Sequence, residues 1–64
     1  MSVKRIQTEE TYLVRDDEQE YVVTVITDLD NLYIQYDVFD EEGEEITGRK
    51  KILELAEKIE LAIP

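Results

Sequence analysis

The turns between the β-rich segments of this chain are short, and their length decides its topology. Residues 11–15 (Thr-Tyr-Leu-Val-Arg), 20–27 (Glu-Tyr-Val-Val-Thr-Val-Ile-Thr) and 32–39 (Leu-Tyr-Ile-Gln-Tyr-Asp-Val-Phe) are rich in β-branched and aromatic residues. Such residues favour a half-buried pleated strand. Only four residues separate each pair, Asp16-Asp17-Glu18-Gln19 and Asp28-Leu29-Asp30-Asn31. A parallel connection needs a dozen or more residues, so the three strands must run antiparallel as a meander. Asn31 tolerates the left-handed conformation that such a turn requires. Asp40-Glu41-Glu42-Gly43-Glu44 reads as a further hairpin turn with Gly43 at positive φ, leading into a short fourth strand at 44–47. Residues 3–7 extend the first strand, with Thr8-Glu9-Glu10 as a bulge or turn.

Residues 48–62 read as a helix. Ile52, Leu55, Ala56, Ile59, Ala62 and Ile63 recur at helical spacing and form one stripe. Thr47 is the expected N-cap, and Glu54 and Lys58 the expected i,i+4 ion pair. Arg49, Lys50 and Lys51 occupy the first turn, where the helix dipole disfavours cations. Attraction to a neighbouring acidic segment is the expected reason, and a contact with a partner is the alternative. The expected fold class is therefore α+β: a three- to four-stranded antiparallel β-meander with one C-terminal α-helix packed on one face. At 64 residues the chain is a single domain.

Short turns also set register. Pairing Arg15 with Glu20 and Thr27 with Leu32 places Tyr12, Val14, Tyr21, Val23, Val25, Ile34, Tyr36 and Val38 on one face, which the helix is expected to cover. The opposite face receives Leu13, Val22, Ile26, Tyr33 and Phe39 among polar residues. One helix cannot cover two faces. Several large apolar side chains are thus expected in water, and contiguous exposed apolar patches mark binding surfaces.

Charge supplies the second constraint. The thirty residues from Asp16 to Glu45 hold twelve acids and no Lys or Arg. The flanking segments carry +1 each, so the whole formal charge of −10 originates in the middle block. A one-sign field of this kind attracts basic partners and repels nucleic acid and anionic membranes. Two charges 10 Å apart repel by about 0.4 kcal/mol in water before screening, so moderate salt or mild acid is expected to stabilise the domain. An apolar content of 42% is too high for a disordered acidic tail.

Much chemistry is missing. The chain has no Cys and no His, which removes disulfides, thiolate metal sites and the commonest general base. Paired-carboxylate catalysis needs two acids whose environments push their pKa values apart in a cleft, whereas these acids lie in solvated turns. Catalysis is not expected, nor is a cofactor. Asp28-Leu29-Asp30-Asn31 opens like a calcium loop, but the sixth and twelfth positions are Tyr33 and Phe39 instead of Gly and Glu, so the pattern fails. Lys4 and Arg5 have no apolar run behind them, which argues against a secretory signal, and absence of Cys fits a cytoplasmic location.

These observations point to a non-catalytic protein-binding module. The expected partner is a basic protein surface, such as that of a nucleic-acid-binding enzyme, with no direct contact to nucleic acid or membrane. The expected contact residues are Tyr33, Asp37 and Phe39 as anchors, with Asp40, Glu41, Glu42, Glu44 and Glu45 supplying charge. In size, charge and compactness the chain resembles the small phage-encoded acidic inhibitors, such as anti-CRISPR proteins and other DNA mimics. That resemblance covers no motif and transfers no residue. The alternative is a homo-oligomer, a dimer for instance, or a small structural subunit whose outer sheet face or sheet edge is buried in an assembly.

Overall fold

The computed structural model describes residues 2–62. Three strands, β1 (Gln7–Asp16), β2 (Gln19–Asp28) and β3 (Tyr33–Phe39), form an antiparallel sheet in the order β1-β2-β3, followed by one helix, α1 (Arg49–Ala62). The fold is the expected α+β meander. Among the described residues no helix is long and apolar enough to cross a membrane.

The first turn matches its expected register: Arg15 pairs with Glu20, Val14 with Tyr21 and Tyr12 with Val23. Asp17 and Glu18 make the two-residue connection, with φ of 51° and 66°. Two successive positive φ values suit the right-handed twist of the flanking strands, although neither residue is a glycine. β1 then runs unbroken from Gln7, so Thr8-Glu9-Glu10 is regular strand with no bulge or turn. The Leu29 amide donates to the Ile6 carbonyl at 2.9 Å and continues the ladder one step further.

The second turn differs from expectation by two residues. Thr27 pairs with Ile34 instead of Leu32, Val25 with Tyr36 and Val23 with Val38. Asp28 causes the slip. Its Oδ1 accepts from the backbone amides of Asp30 (2.9 Å) and Asn31 (3.0 Å), and its Oδ2 from the Asn31 side-chain amide (3.0 Å). This closes a wider loop over Leu29–Leu32, and the left-handed residue is Leu32 (φ 55°), not Asn31. Because the side-chain period of a strand is two, an even slip leaves every residue on its expected face.

The core consists of Val14, Tyr21, Val23, Val38, Leu55 and Ile59, with Tyr12, Val25, Tyr36, Ile46 and Ile52 packed at its margin. Helix α1 reaches it through the expected stripe, except that Ala62 is exposed and Ile63 lies outside the described residues. A 14-residue helix is about 21 Å long, whereas a ten-residue strand is about 33 Å. The helix therefore covers only the end of the inner face where β1 meets β2. Beyond it the inner face is bare, and Ile34 is 53% exposed. The molecule is correspondingly elongated, 49 × 27 × 18 Å.

The fourth strand is reduced to a single bridge between Phe39 and Glu45, with the Ile46 amide donating to the Val38 carbonyl at 2.8 Å. Gly43 takes the expected positive φ, 86°. The helix is capped by Gly48 in place of Thr47, since the Gly48 carbonyl accepts its first bond, from Ile52. The expected Glu54–Lys58 pair gives way to a longer-range one. Lys58 turns to Asp16 (3.1 Å), while Glu54 approaches Lys51 at 3.9 Å.

Candidate functional site

Antiparallel topology carries the two acidic stretches to one end of the sheet. The β1–β2 turn contributes Asp16, Asp17, Glu18 and Glu20. The chain leaving β3 at the same end contributes Asp40, Glu41, Glu42, Glu44 and Glu45. Arg15, Arg49, Lys50, Lys51 and, through its contact with Asp16, Lys58 are the cations adjoining that end, so nine acids against five bases leave it at −4.

Only one of the nine acids is neutralised by an ion pair among the described residues. Asp16, with its side chain 11% exposed, takes Lys51 at 2.5 Å and Lys58 at 3.1 Å. Hydrogen bonds from these two ammonium groups hold its carboxyl below the ordinary value, against the opposing effect of desolvation. The same bond from Asp16 raises the Lys51 ammonium. Lys51 also lies 5.1 Å from the centre of the Tyr21 ring. These contacts give a structural reason for a cation in the first turn of α1. Arg49 and Lys50 form no ion pair among the described residues.

The remaining acids are held by backbone groups or left in water. Asp40 Oδ1 accepts from the amides of Glu42 and Glu44, each at 2.9 Å, and the Asp40 amide donates to the Glu44 carbonyl at 2.9 Å. Asp40 is thus a turn-forming residue before it is a contact residue. Glu41 stands where β3 would have continued opposite Glu20, and its carboxylate accepts the Glu20 amide at 2.8 Å. That bond pins the acidic loop to β2. Glu42, Glu44 and Glu45 are exposed. A shallow depression of about 280 Å³ lies between the two stretches, lined by Gln19, Glu20, Asp40, Glu41 and Glu42.

The outer face brings an apolar row up to this end. Leu13, Val22 and Phe39 are cross-strand neighbours, 69%, 41% and 39% exposed. The next row, Thr11, Thr24 and Asp37, is polar, with the two threonine hydroxyls 3.3 Å apart and the Gln35 amide donating to Asp37 at 3.2 Å. Phe39, Asp37 and the Asp40–Glu45 loop are therefore adjacent, as expected. Tyr33 is not with them. It is exposed on the same face but six residues along β3 from Phe39, about 20 Å away. The residues that the sequence reading missed are Leu13, Val22, Gln19 and Glu20. The register had already placed Leu13 and Val22 on the outer face, and their alignment with Phe39 was the available signal.

Comparison with known proteins returns nothing: no protein-family model, no curated protein and no solved structure matches the chain.

Proposed function

We propose that this protein is a non-catalytic binding module that docks its acidic end on a basic protein surface, of the kind that nucleic-acid-binding enzymes use to hold a phosphate backbone. The observation that carries this reading is the set of carboxylates from two distant stretches of chain, joined by the Glu41–Glu20 bond and left largely without cations. Duplex DNA carries one charge per roughly 1.7 Å of axis, and a protein competing for the same groove needs closely spaced carboxylates on a rigid frame. The exposed row of Leu13, Val22 and Phe39 beside those carboxylates supplies apolar area to be desolvated on contact, while the charges steer approach. A cytoplasmic site of action accords with a chain that has no cysteine.

The test is affinity capture from the native host, eluted along a salt gradient, followed by a competition assay on the captured protein. The proposal expects a basic protein that leaves the column as salt rises and that loses bound duplex when this chain is added. Capture of a partner indifferent to salt, or one that binds duplex and this chain together, would overturn it.

A further inference from the structure

We infer that the free edge of β1 pairs with the β1 edge of a second copy, giving a two-fold dimer with a continuous six-stranded sheet in which Glu9 of each chain faces Arg15 of the other. The starting observation is the edge itself. β1 pairs with β2 over all ten residues without a bulge, and among the described residues no strand lies on its other side. Unpaired edges of this length template further pairing unless proline, charged side chains (lysine above all), a bulge or a covering segment blunts them, so the charges of β1, Glu9, Glu10, Arg15 and Asp16, must be accommodated by the register. Gln7–Asp16 contains no Pro, Gly or Lys. The opposite edge of the sheet differs, because the Phe39–Glu45 bridge and the Ile46–Val38 bond cover its end.

The backbone is ready for pairing. The Ile6 carbonyl accepts from Leu29, so the even-numbered residues of β1 turn their backbone groups toward β2. The odd-numbered residues, Glu9, Thr11, Leu13 and Arg15 among them, turn theirs outward. A two-fold axis keeps both helices on one side of the joint sheet, so outer-face residues must meet outer-face residues. Few registers satisfy this. Centring the axis on Tyr12 sets Glu9 against Arg15 twice and Thr11 against Leu13 twice. Centring it one residue later opposes Glu10 to Asp16, and two residues earlier opposes Glu10 to itself, which puts like charges together. Centring it on Thr11 sets Arg15 against Gln7 and leaves no opposite charges facing one another.

The chosen register also answers two other features. A groove of about 250 Å³ runs between residues 12–15 of β1 and Lys58, Ile59 and Ala62 of α1. The partner's Glu10, opposite Val14, enters beside Lys58. Antiparallel pairing moreover sets the partner's helix-covered end next to the bare half of this inner face. This interface runs along the β1 edge and reaches the acidic end at Leu13 and Arg15, but its test reads self-association alone and does not depend on the docking proposal.

The test is sedimentation equilibrium from 10 μM to 1 mM in moderate salt, with circular dichroism to verify folding. The native chain is expected at twice 7.6 kDa. Thr11→Pro removes an outward amide and no internal ladder bond, and is expected to give a folded monomer. Glu9→Arg alone and Arg15→Glu alone are each expected to weaken the dimer at least tenfold, and an equimolar mixture of the two to restore it as a heterodimer. A native chain that stays monomeric at 1 mM overturns the inference, including one that captures an extended peptide from another protein. So does a dimer that survives Thr11→Pro, or one that the mixture fails to restore.

Discussion

Val22 and Val23 are adjacent, chemically identical and on opposite faces of the sheet, so truncating each in turn isolates the effect of facing. Val23 is 0% exposed, flanked across the sheet by Tyr12 and Val38 and packed in the cluster that holds Leu55. Val23→Ala removes two carbons, worth about 1.6 kcal/mol of transfer free energy at roughly 0.8 kcal/mol per carbon. A residual cavity of roughly 50 Å³ adds about 1 kcal/mol, for a total of about 2–3 kcal/mol. A chain of this length has a total stability of only about 3–10 kcal/mol, so the loss is between about a fifth and all of it. Val22 is 41% exposed, and its truncation should cost less than about 1 kcal/mol. Urea unfolding followed by circular dichroism measures both. At a slope near 1 kcal/mol per molar, the Val23→Ala midpoint should fall by roughly 2–3 M and the Val22→Ala midpoint by under about 1 M. Equal shifts, or a larger shift for Val22, would refute the face assignment and the core built on it.

Four further outcomes are expected. Glu18→Gly relieves the left-handed strain at φ 66°, and should raise stability by about 0.5–1 kcal/mol in a thermal melt. Asp28 is held below its ordinary carboxyl value by the Asn31 side chain and then by the amides of Asn31 and Asp30. Its contribution is therefore complete above the unfolded value near about 3.9 and is lost as pH falls through the lower folded value. The stability deficit of Asp28→Asn should stay constant from about pH 7 to 5 and shrink as pH falls below about 3.9 and through the lower folded value. The triple reversal of Glu42, Glu44 and Glu45 to Lys changes the net charge from −10 to −4, as each replacement adds two. It should abolish capture of a basic partner while melting no lower than the native chain. Asp40 and Glu41 are left out because their carboxylates hold the turn and the Glu20 amide. Raising salt from about 20 mM to 300 mM should raise the melting temperature by screening the acidic field.

Much of this fold was legible because strand faces depend only on parity. The β2–β3 register was off by two, yet Val23, Val25, Tyr36 and Val38 stayed on the inner face. The cause of the slip, Asp28 gathering three donors around itself, depends on a loop conformation that residue type leaves open. The helix stripe was legible from its spacing, but its N-cap was not. Thr47 and Gly48 are both acceptable caps, and the bridge that ends at Glu45 decides where the chain enters the helix. At the site, proximity along β3 was overread. Tyr33 and Phe39 share a face without sharing a place on it. The Glu41–Glu20 bond joins residues 21 apart in sequence and follows only from the corrected register. The bare inner half of the sheet was equally hidden, since it comes from comparing helix length with strand length once both are placed.

The account depends on the acidic end being a fixed surface and not a fluctuating loop. Backbone ¹⁵N relaxation over residues 16–20 and 40–46 measures this directly. Order parameters near about 0.85 at both stretches, equal to those of the strands, are predicted. Values below about 0.6 at residues 40–46 would contradict it, because mobile carboxylates there could not form the closely spaced negative surface on which the proposed docking depends.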